Sequence, residues 1–212
     1  MTRKMPRDER AADIIEAAIS EFLEKGYEGA SMEAIAQRAG LTKGGLYHHF
    51  RGKDEVLRAA NQRFFEPVAR LMQGARADPD AVHGLRAFVR GYIAHWARHP
   101  RELVFTFLSI SRLLATPDLW PSMDQYVDKV LGFYRFMFGR AASVLGLGPR
   151  EVESRSVVMM AALDGITGYV AMGRWVSRAQ ASDDLIAVLL KEVHRPRPAT
   201  KAKRLPRRGD VR

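Results

Sequence analysis

The spacing of apolar residues restricts the possible folds of this chain more than any other feature of its sequence. Over residues 8–25, apolar side chains such as Ile14, Ala18 and Phe22 recur every four positions and form one stripe. That spacing is typical of an amphipathic α-helix, and no segment shows the strict alternation of a half-buried strand. The same helical spacing returns along most of the chain. The sequence therefore predicts an all-α protein of about nine helices.

Glycine, proline and capping residues set the ends of the predicted helices. Gly26 follows the first helix, and Ser31 and Thr42 are suited to cap the two short helices that come next. The predicted helices lie at 8–25, 32–39, 43–49, 54–73, 80–98, 101–115, 121–145, 150–176 and 183–194. We expect a three-helix unit over 1–53 and a larger bundle over 54–194, in which helix 54–73 connects the two.

The net charge of +10 is concentrated at the C-terminal end of the chain. The net charge is 0 over residues 1–60, +3 over 61–190 and +7 over 191–212. Residues 195–212 are basic, rich in proline and poor in apolar side chains, which predicts a disordered tail. Such a tail could attract phosphates without specificity, or it could simply be solvated. The basic composition alone is therefore no argument that the folded part binds DNA.

Several protein classes are excluded by what the sequence lacks. With no cysteine, the chain has no disulfide framework and no cysteine-ligated zinc. It has no apolar run near the ~20 residues of a membrane span, and its N-terminus does not resemble a secretory signal. We expect a cytoplasmic protein that does not contact a membrane.

No catalytic or metal-binding pattern is convincing either. His95 and His99 have a spacing that can chelate zinc, but Trp96 stands where a metalloprotease motif needs glutamate. No nucleophile or carboxylate pair stands out. We therefore expect no enzymatic activity, no cofactor and no metal.

Residues 31–53, SMEAIAQRAGLTKGGLYHHFRGK, predict a helix-turn-helix. A capped helix, a turn at Gly40 and a second short helix form this motif, whose second helix enters the major groove of DNA. Ile35, Leu46 and Phe50 are expected to pack inward. The residues left exposed on the second helix are Thr42, Lys43, Gly44, Tyr47 and His48.

These exposed residue types suit a DNA surface. Lys43 can donate to guanine or to phosphate, and Gly44 has no side chain to hold the helix away from the groove. Tyr47 and His48 offer a flat apolar face with a polar tip. Lys53 stands at the start of the next helix, whose free N–H groups favour a phosphate. The alternative for Tyr47 is an aromatic residue of the core, and the alternative for Lys43 and Lys53 is an ordinary solvated lysine.

The string KGGLYHHFRGKDEVL at 43–57, with Gly26, Tyr27 and Ser31 before it, resembles the signature of the TetR family of transcriptional repressors. The resemblance covers about residues 10–60. It implies DNA contacts at Thr42, Lys43, Gly44, Tyr47, His48, His49 and Lys53, with Ser31 near the DNA backbone. A structural role at the helix end is the alternative for His49.

The same resemblance implies a small-molecule effector pocket inside the larger bundle. Asp164 is the most conspicuous polar candidate, because it interrupts the apolar run MMAALDGITGYV. Its alternative role is a hydrogen bond within the bundle or at a dimer interface. The candidate effector contacts are His95, Trp96, Phe105, Arg112, Tyr134, Met137, Met160 and Asp164.

The last two predicted helices are candidates for a homodimer interface. Ala161, Gly165 and Gly168 form a stripe of small residues along one helix, and the final helix is apolar on more than one face. Pairing of these helices between two copies is also what the family resemblance implies, while a monomer is the alternative. The candidate interface residues are Ala161, Gly165, Gly168, Met172, Leu185, Val188 and Leu189.

Together these features predict a homodimeric repressor that reads a pseudo-palindromic operator in double-stranded DNA and is released by an apolar or amphipathic effector. Two alternatives remain. One is a helical small-molecule binding protein whose DNA-binding head is vestigial. The other is a nonspecific DNA binder that depends on its basic tail.

Overall fold

The computed structural model describes residues 7–116, 120–172 and 177–190. The described residues form nine α-helices and no strand, which confirms the all-α prediction. The helices are α1 Arg7–Gly29, α2 Met32–Arg38, α3 Lys43–Tyr47, α4 Lys53–Ala77, α5 Ala81–Arg98, α6 Pro100–Leu114, α7 Trp120–Leu145, α8 Pro149–Ala171 and α9 Arg178–Leu189. Within these residues, no helix has the length and apolar character needed to span a membrane.

The predicted break at Gly26 and the predicted caps at Ser31 and Thr42 are confirmed, while α1 continues past the break to Gly29 and α3 ends at Tyr47 instead of 49. Gly26 has φ of 71°, a left-handed conformation that breaks regular helix geometry and that glycine adopts without strain. The Ser31 hydroxyl accepts a hydrogen bond from the Ala34 N–H at 3.1 Å. The Thr42 hydroxyl accepts one from the Gly45 N–H, also at 3.1 Å. These contacts fix where α2 and α3 begin.

Later helix ends differ from the predictions. Helix α4 continues past Gly74 because Ala75 is buried against the bundle. Helix α8 ends at Ala171 instead of 176, and α9 begins at Arg178 instead of 183, because Ser177 caps it. The predicted helix end at 194 and the basic tail 195–212 lie outside the described residues.

Two apolar clusters organise the molecule. The first, here called the head, joins α1, α2 and α3 to the beginning of α4. The second, here called the body, is formed by the rest of α4 with α5, α7, α8 and α9. Helix α4 therefore contributes to both clusters, and the predicted boundary at residue 53 falls at the start of a shared element.

Helix α6 attaches the body to the head. Phe105 of α6 belongs to the head cluster, where its ring centroid lies 6.0 Å from that of Phe22 and 5.4 Å from that of Phe64. At the start of α6, Arg101 donates to Glu16 at 3.2 Å and to Ser20 at 2.8 Å, both on α1.

We expect Phe105→Ala to lower the free energy of unfolding by about 3–5 kcal/mol, because it removes a fully buried aromatic ring and leaves a cavity. Val104→Ala on the same helix is the matched control, since Val104 is 52% exposed, and we expect it to change stability by no more than about 0.5 kcal/mol. Chemical denaturation measures both. Equal small effects would contradict the attachment of α6 to the head.

Candidate nucleic-acid interface and ligand cavity

Helix α3 is held by one face and presents the other. Leu46 is fully buried, Phe50 just beyond the helix is buried beside it, and Thr42 caps the first turn. Because these anchors all lie on one side, the opposite side of the helix faces solvent. The structure brings five predicted DNA-contacting residues together there: Thr42, Lys43, Gly44, Tyr47 and His48.

The exposed aromatic ring at Tyr47 decides between two interpretations of that residue. Its side chain is 46% exposed, so it is not the core aromatic of the alternative interpretation. The ring and hydroxyl of Tyr47 are therefore accessible for contact with a partner.

The two neighbouring glycines of α3 differ in what surrounds them. A Cβ atom on Gly45 would lie 3.3 Å from the Thr42 hydroxyl oxygen, so the cap itself restricts that position. A Cβ atom on Gly44 would meet nothing within 4 Å. The fold therefore gives no internal reason for glycine at position 44, although glycine costs about 1 kcal/mol relative to alanine inside a helix.

The remaining predicted contacts flank α3. Ser31 is exposed at the start of α2, where its oxygen is used as the cap. His49 is half-buried directly after α3, and its ring centroid lies 6.0 Å from that of His48.

Lys53 has internal contacts that the sequence analysis did not predict. Its ammonium group donates to the Tyr27 carbonyl at 2.8 Å and to the Ala30 carbonyl at 2.9 Å. It also lies 4.6 Å from the centroid of the Tyr27 ring. Lys53 thus ties the start of α4 to the turn before α2. Its predicted contact with a DNA phosphate stays a prediction.

An ion-pair network that the sequence analysis missed fixes α2 on α1. Arg38 at the end of α2 donates to Glu21 at 2.9 Å and to Glu24 at 2.7 Å. Glu21 is only 3% exposed, so its charge is stabilised by Arg38 and by Lys25 at 2.8 Å. The signal available in the sequence was the position of Glu21, which stands seven residues after Ile14 and so lies on the predicted apolar face of the helix.

Tyr27 connects the same part of the head to α6. Its hydroxyl donates to Asp54, and the guanidinium of Arg112 lies 4.5 Å from its ring centroid. Burial, followed by the hydrogen bond to Asp54, raises the pKa of Tyr27 to about 12. The hydroxyl therefore keeps its proton at neutral pH, and Tyr27 holds α1, α4 and α6 together.

A cavity of about 480 Å³ opens in the body between α4, α5, α6, α7 and α8. Its wall is largely apolar and aromatic, and this volume suits a small organic ligand. The lining residues are Arg58, Asn61, Gln62, Phe65, Glu66, Val68, Ala69, Met72, Phe88, Tyr92, Thr106, Ser109, Ile110, Tyr126, Lys129, Val130, Tyr134, Met160 and Asp164.

Three of the eight predicted effector contacts line this cavity: Tyr134, Met160 and Asp164. The structure places the others elsewhere. Trp96 and Met137 are buried in the body core. His95 packs against the rings of Trp96 and His99.

The last two of these residues belong to the junction with the head. Phe105 lies in the head cluster, and Arg112 contacts Tyr27 and Glu28. Residue type alone could not separate these positions from the cavity wall.

Asp164 contributes a carboxylate to the wall of the cavity. Its carboxylate accepts a hydrogen bond from the Tyr92 hydroxyl at 3.2 Å. Burial raises the pKa of Asp164, and the hydrogen bond from Tyr92 opposes that shift. Burial, followed by the negative charge of Asp164, raises the pKa of Tyr126 and Tyr134 in turn.

The sequence analysis missed the contribution of α4 to the cavity and the rings of Phe88 and Tyr92. Asn61 was the one available signal, because it is a polar residue close to the apolar stripe of Val56, Leu57 and Ala60. Nothing in the sequence indicated which helices would pack around the cavity.

The predicted interface residues divide into two groups. Leu185 and Leu189 are buried in the body of their own chain. Ala161, Gly165, Met172 and Val188 are exposed, and Gly168 is half-exposed, with a Cβ there 3.8 Å from the ring of Phe107. Additional apolar side chains are exposed on α8 at Val157, Val158 and Tyr169.

Comparison with known proteins agrees with this geometry. Residues 14–60 match the family model described as "Bacterial regulatory proteins, tetR family". The chain is 39% identical over 90 residues to the HTH-type transcriptional activator FasR of Mycolicibacterium smegmatis, which covers 42% of this chain and 41% of that protein. It is 33% identical over 107 residues to the HTH-type transcriptional repressor AcnR of Corynebacterium diphtheriae, over 50% of this chain and 51% of that protein.

The chain thus spans about half the length of these curated relatives. The matched part contains the predicted helix-turn-helix, so the similarity lies in the head. Residues 14–60 are thus similar to the N-terminal domain of tetR-family regulators.

Solved structures extend the similarity to the whole fold. FadR from Bacillus subtilis, solved in complex with stearoyl-CoA, superposes with a TM-score of 0.71 at 17% identity, over 86% of this chain and 99% of that one. AibR, solved in complex with isovaleryl coenzyme A and operator DNA, gives 0.67 at 24% identity, over 85% and 98%. These matches show that head and body together have the same fold as these two proteins.

We expect Lys53→Met to lower the free energy of unfolding by about 1–3 kcal/mol, because it removes the donor from two carbonyl groups. Lys43→Met is the control, since Lys43 is exposed, and it should change stability by about 0.5 kcal/mol or less. Thermal and chemical denaturation measure the difference. If both variants are as stable as the parent, the internal contacts of Lys53 contribute nothing.

Proposed function

We propose that this protein is a sequence-specific DNA-binding transcriptional regulator that acts as a homodimer and responds to a small-molecule ligand. The observation that carries the proposal is α3: its buried face fixes it to the head, while its exposed face gathers Thr42, Lys43 and Tyr47. These side chains can reach phosphates and base edges in a major groove. The operator DNA in the AibR structure supports this assignment.

The exposed apolar face of α8 and α9 supports the homodimer. Val188 is 74% exposed and Met172 is 61% exposed, and an apolar patch of this kind favours association. A twofold dimer would place two α3 helices on one side of a duplex, about 34–36 Å apart, and so favour a pseudo-palindromic operator.

The cavity is the proposed effector site, because two of the five helices that form its wall, α4 and α6, also hold the head. Helix α4 carries Phe65 of the wall and Leu57 of the head core. Helix α6 carries Ser109 of the wall and Phe105 of the head core. A ligand that fits the cavity better in one arrangement of these helices shifts the protein toward that arrangement.

The coupling between cavity and head need not be large. A coupling free energy of about 1–3 kcal/mol between effector and operator is enough for release. We propose repression relieved by the effector. A ligand-binding protein with an inactive head is the second candidate, and the absence of any enriched DNA sequence would favour it.

The experiment that tests the function is selection of bound duplexes from a random pool, followed by affinity measurements on the enriched site. Lys43→Ala should weaken binding and, if Lys43 reads guanine, should reduce the preference at one position by about 1–3 kcal/mol. Arg90→Ala is the control for charge, because Arg90 is an exposed cation of the body at 57% exposure. A nonspecific pool, or equal affinity for the Lys43→Ala variant and the parent, would refute the interface. Binding that disappears on deletion of 195–212 would assign it to the tail.

Gly44→Ala tests close approach to DNA separately from folding. Since a Cβ at Gly44 meets nothing within 4 Å, the variant should be as stable as the parent, or more stable by up to about 1 kcal/mol. Its affinity for the selected site should fall about tenfold or more, through loss of contacts worth about 1–3 kcal/mol. Gly139→Ala on α7 is the matched control, with the same empty surroundings, and should bind DNA normally. Unchanged binding by the Gly44→Ala variant would contradict close contact at this point.

A further inference from the structure

Three hydroxyl groups in the wall of the cavity donate their hydrogens within the protein. The Thr106 hydroxyl donates to the Glu102 carbonyl at 2.9 Å, and the Ser109 hydroxyl donates to the Phe105 carbonyl at 2.8 Å. Their hydrogens are thus used within α6, and only their oxygen lone pairs remain for a ligand. The Tyr92 hydroxyl likewise donates to Asp164.

Asp164 adds a negative charge to the wall of the cavity. Among the residues that the structure describes, no lysine, arginine or histidine lies within ion-pair distance of its carboxylate; the contact that stabilises it is the hydrogen bond from Tyr92. A ligand that enters the cavity displaces water from this accessible carboxylate, which is unfavourable when no cation takes the place of the water. A ligand that brought a positive charge would remove that cost.

Aromatic rings surround the same space. Phe65 and Tyr126 lie against each other on one wall, with ring centroids 5.3 Å apart. Phe88 contacts both Tyr92 and Tyr134 on another wall, at 5.7 and 5.9 Å. The faces of such rings attract a cation, and the attraction increases when the cation is desolvated.

The rim of the cavity carries both signs of charge. Arg58, Glu66 and Lys129 line it and are exposed, so water screens them. Glu66 is also paired with Arg70 at 2.8 Å. Asp164 is accessible as well, and it differs from these groups in its hydrogen bond from Tyr92, one of the aromatic residues of the wall.

We propose that the effector is an organic cation with an apolar or aromatic body, held with its positive head between the Asp164 carboxylate and the aromatic rings. This assignment deepens the proposed function and rests on it for the role of the cavity as the effector site. It selects one ligand class from the apolar and amphipathic molecules that the cavity volume alone would admit.

The experiment uses three compounds that share a phenylhexyl body and differ in the head group: trimethylammonium, hydroxyl and carboxylate. Isothermal titration of the full-length protein, without DNA, should show the trimethylammonium compound binding about tenfold or more tightly than the other two, because its positive charge is attracted both to the Asp164 carboxylate and to the faces of the aromatic rings. Equal binding of all three, or tightest binding of the carboxylate, overturns the proposal. This comparison uses the parent protein, so it does not depend on whether a variant folds.

Asp164→Asn keeps the shape of the side chain and removes its charge. It should weaken binding of the trimethylammonium compound about tenfold or more and leave the hydroxyl compound within about twofold, which is the internal check on folding. Glu66→Gln is the matched control, because it removes an exposed rim carboxylate, and it should bind both compounds as the parent does. If Asp164→Asn retains full affinity for the cation, Asp164 is not its partner.

The outcome is independent of operator binding. A protein that selects no DNA sequence but binds the cation through Asp164 refutes the proposed function and supports this assignment. A protein that binds its operator but does not discriminate among the three head groups supports DNA binding and refutes the assignment of a cationic effector.

Discussion

The burial of Leu46 is the contact on which the proposed DNA-binding surface depends. Helix α3 has only five residues, and a helix that short does not persist in water without tertiary contacts. Leu46 is fully buried, and Thr42 caps the first turn. Because these two contacts fix both the rotation and the start of α3, they also decide that Lys43 and Tyr47 face outward.

The head is in turn held by helices that belong partly to the body. Phe105 packs between Phe22 and Phe64, while Lys53 and Arg112 both approach Tyr27. A shift of α4 or α6 would therefore move the head as a unit, because packed interiors transmit displacement instead of absorbing it. Since α4 and α6 also line part of the cavity, the cavity wall and the head share one set of contacts.

The cavity combines features that a simple apolar core would not. Tyr92, Tyr126, Tyr134 and Asp164 place polar groups where the neighbouring side chains are aromatic. Such groups cost free energy unless they are paired, and Asp164 is paired by Tyr92. The carboxylate of Asp164 distinguishes this cavity from one lined by apolar side chains alone.

The sequence by itself determined the helices, the head and the exposed face of α3. Those features depend on local rules: the apolar period, the caps at Ser31 and Thr42, and the left-handed glycine at Gly26. All of them act over a few residues, so they can be recognised without knowing the rest of the fold. The start of α9 was missed because Ser177, its cap, stands before residues without a clear apolar stripe.

Only the tertiary structure decided which bulky residues form a core and which line the cavity. Trp96 and Tyr134 are both large and aromatic, yet Trp96 packs in the body core and Tyr134 lines the cavity. Phe105 belongs to neither, because α6 turns it toward the head. The order of helix packing sets these fates, and it depends on contacts between residues far apart in the chain, which no local pattern contains.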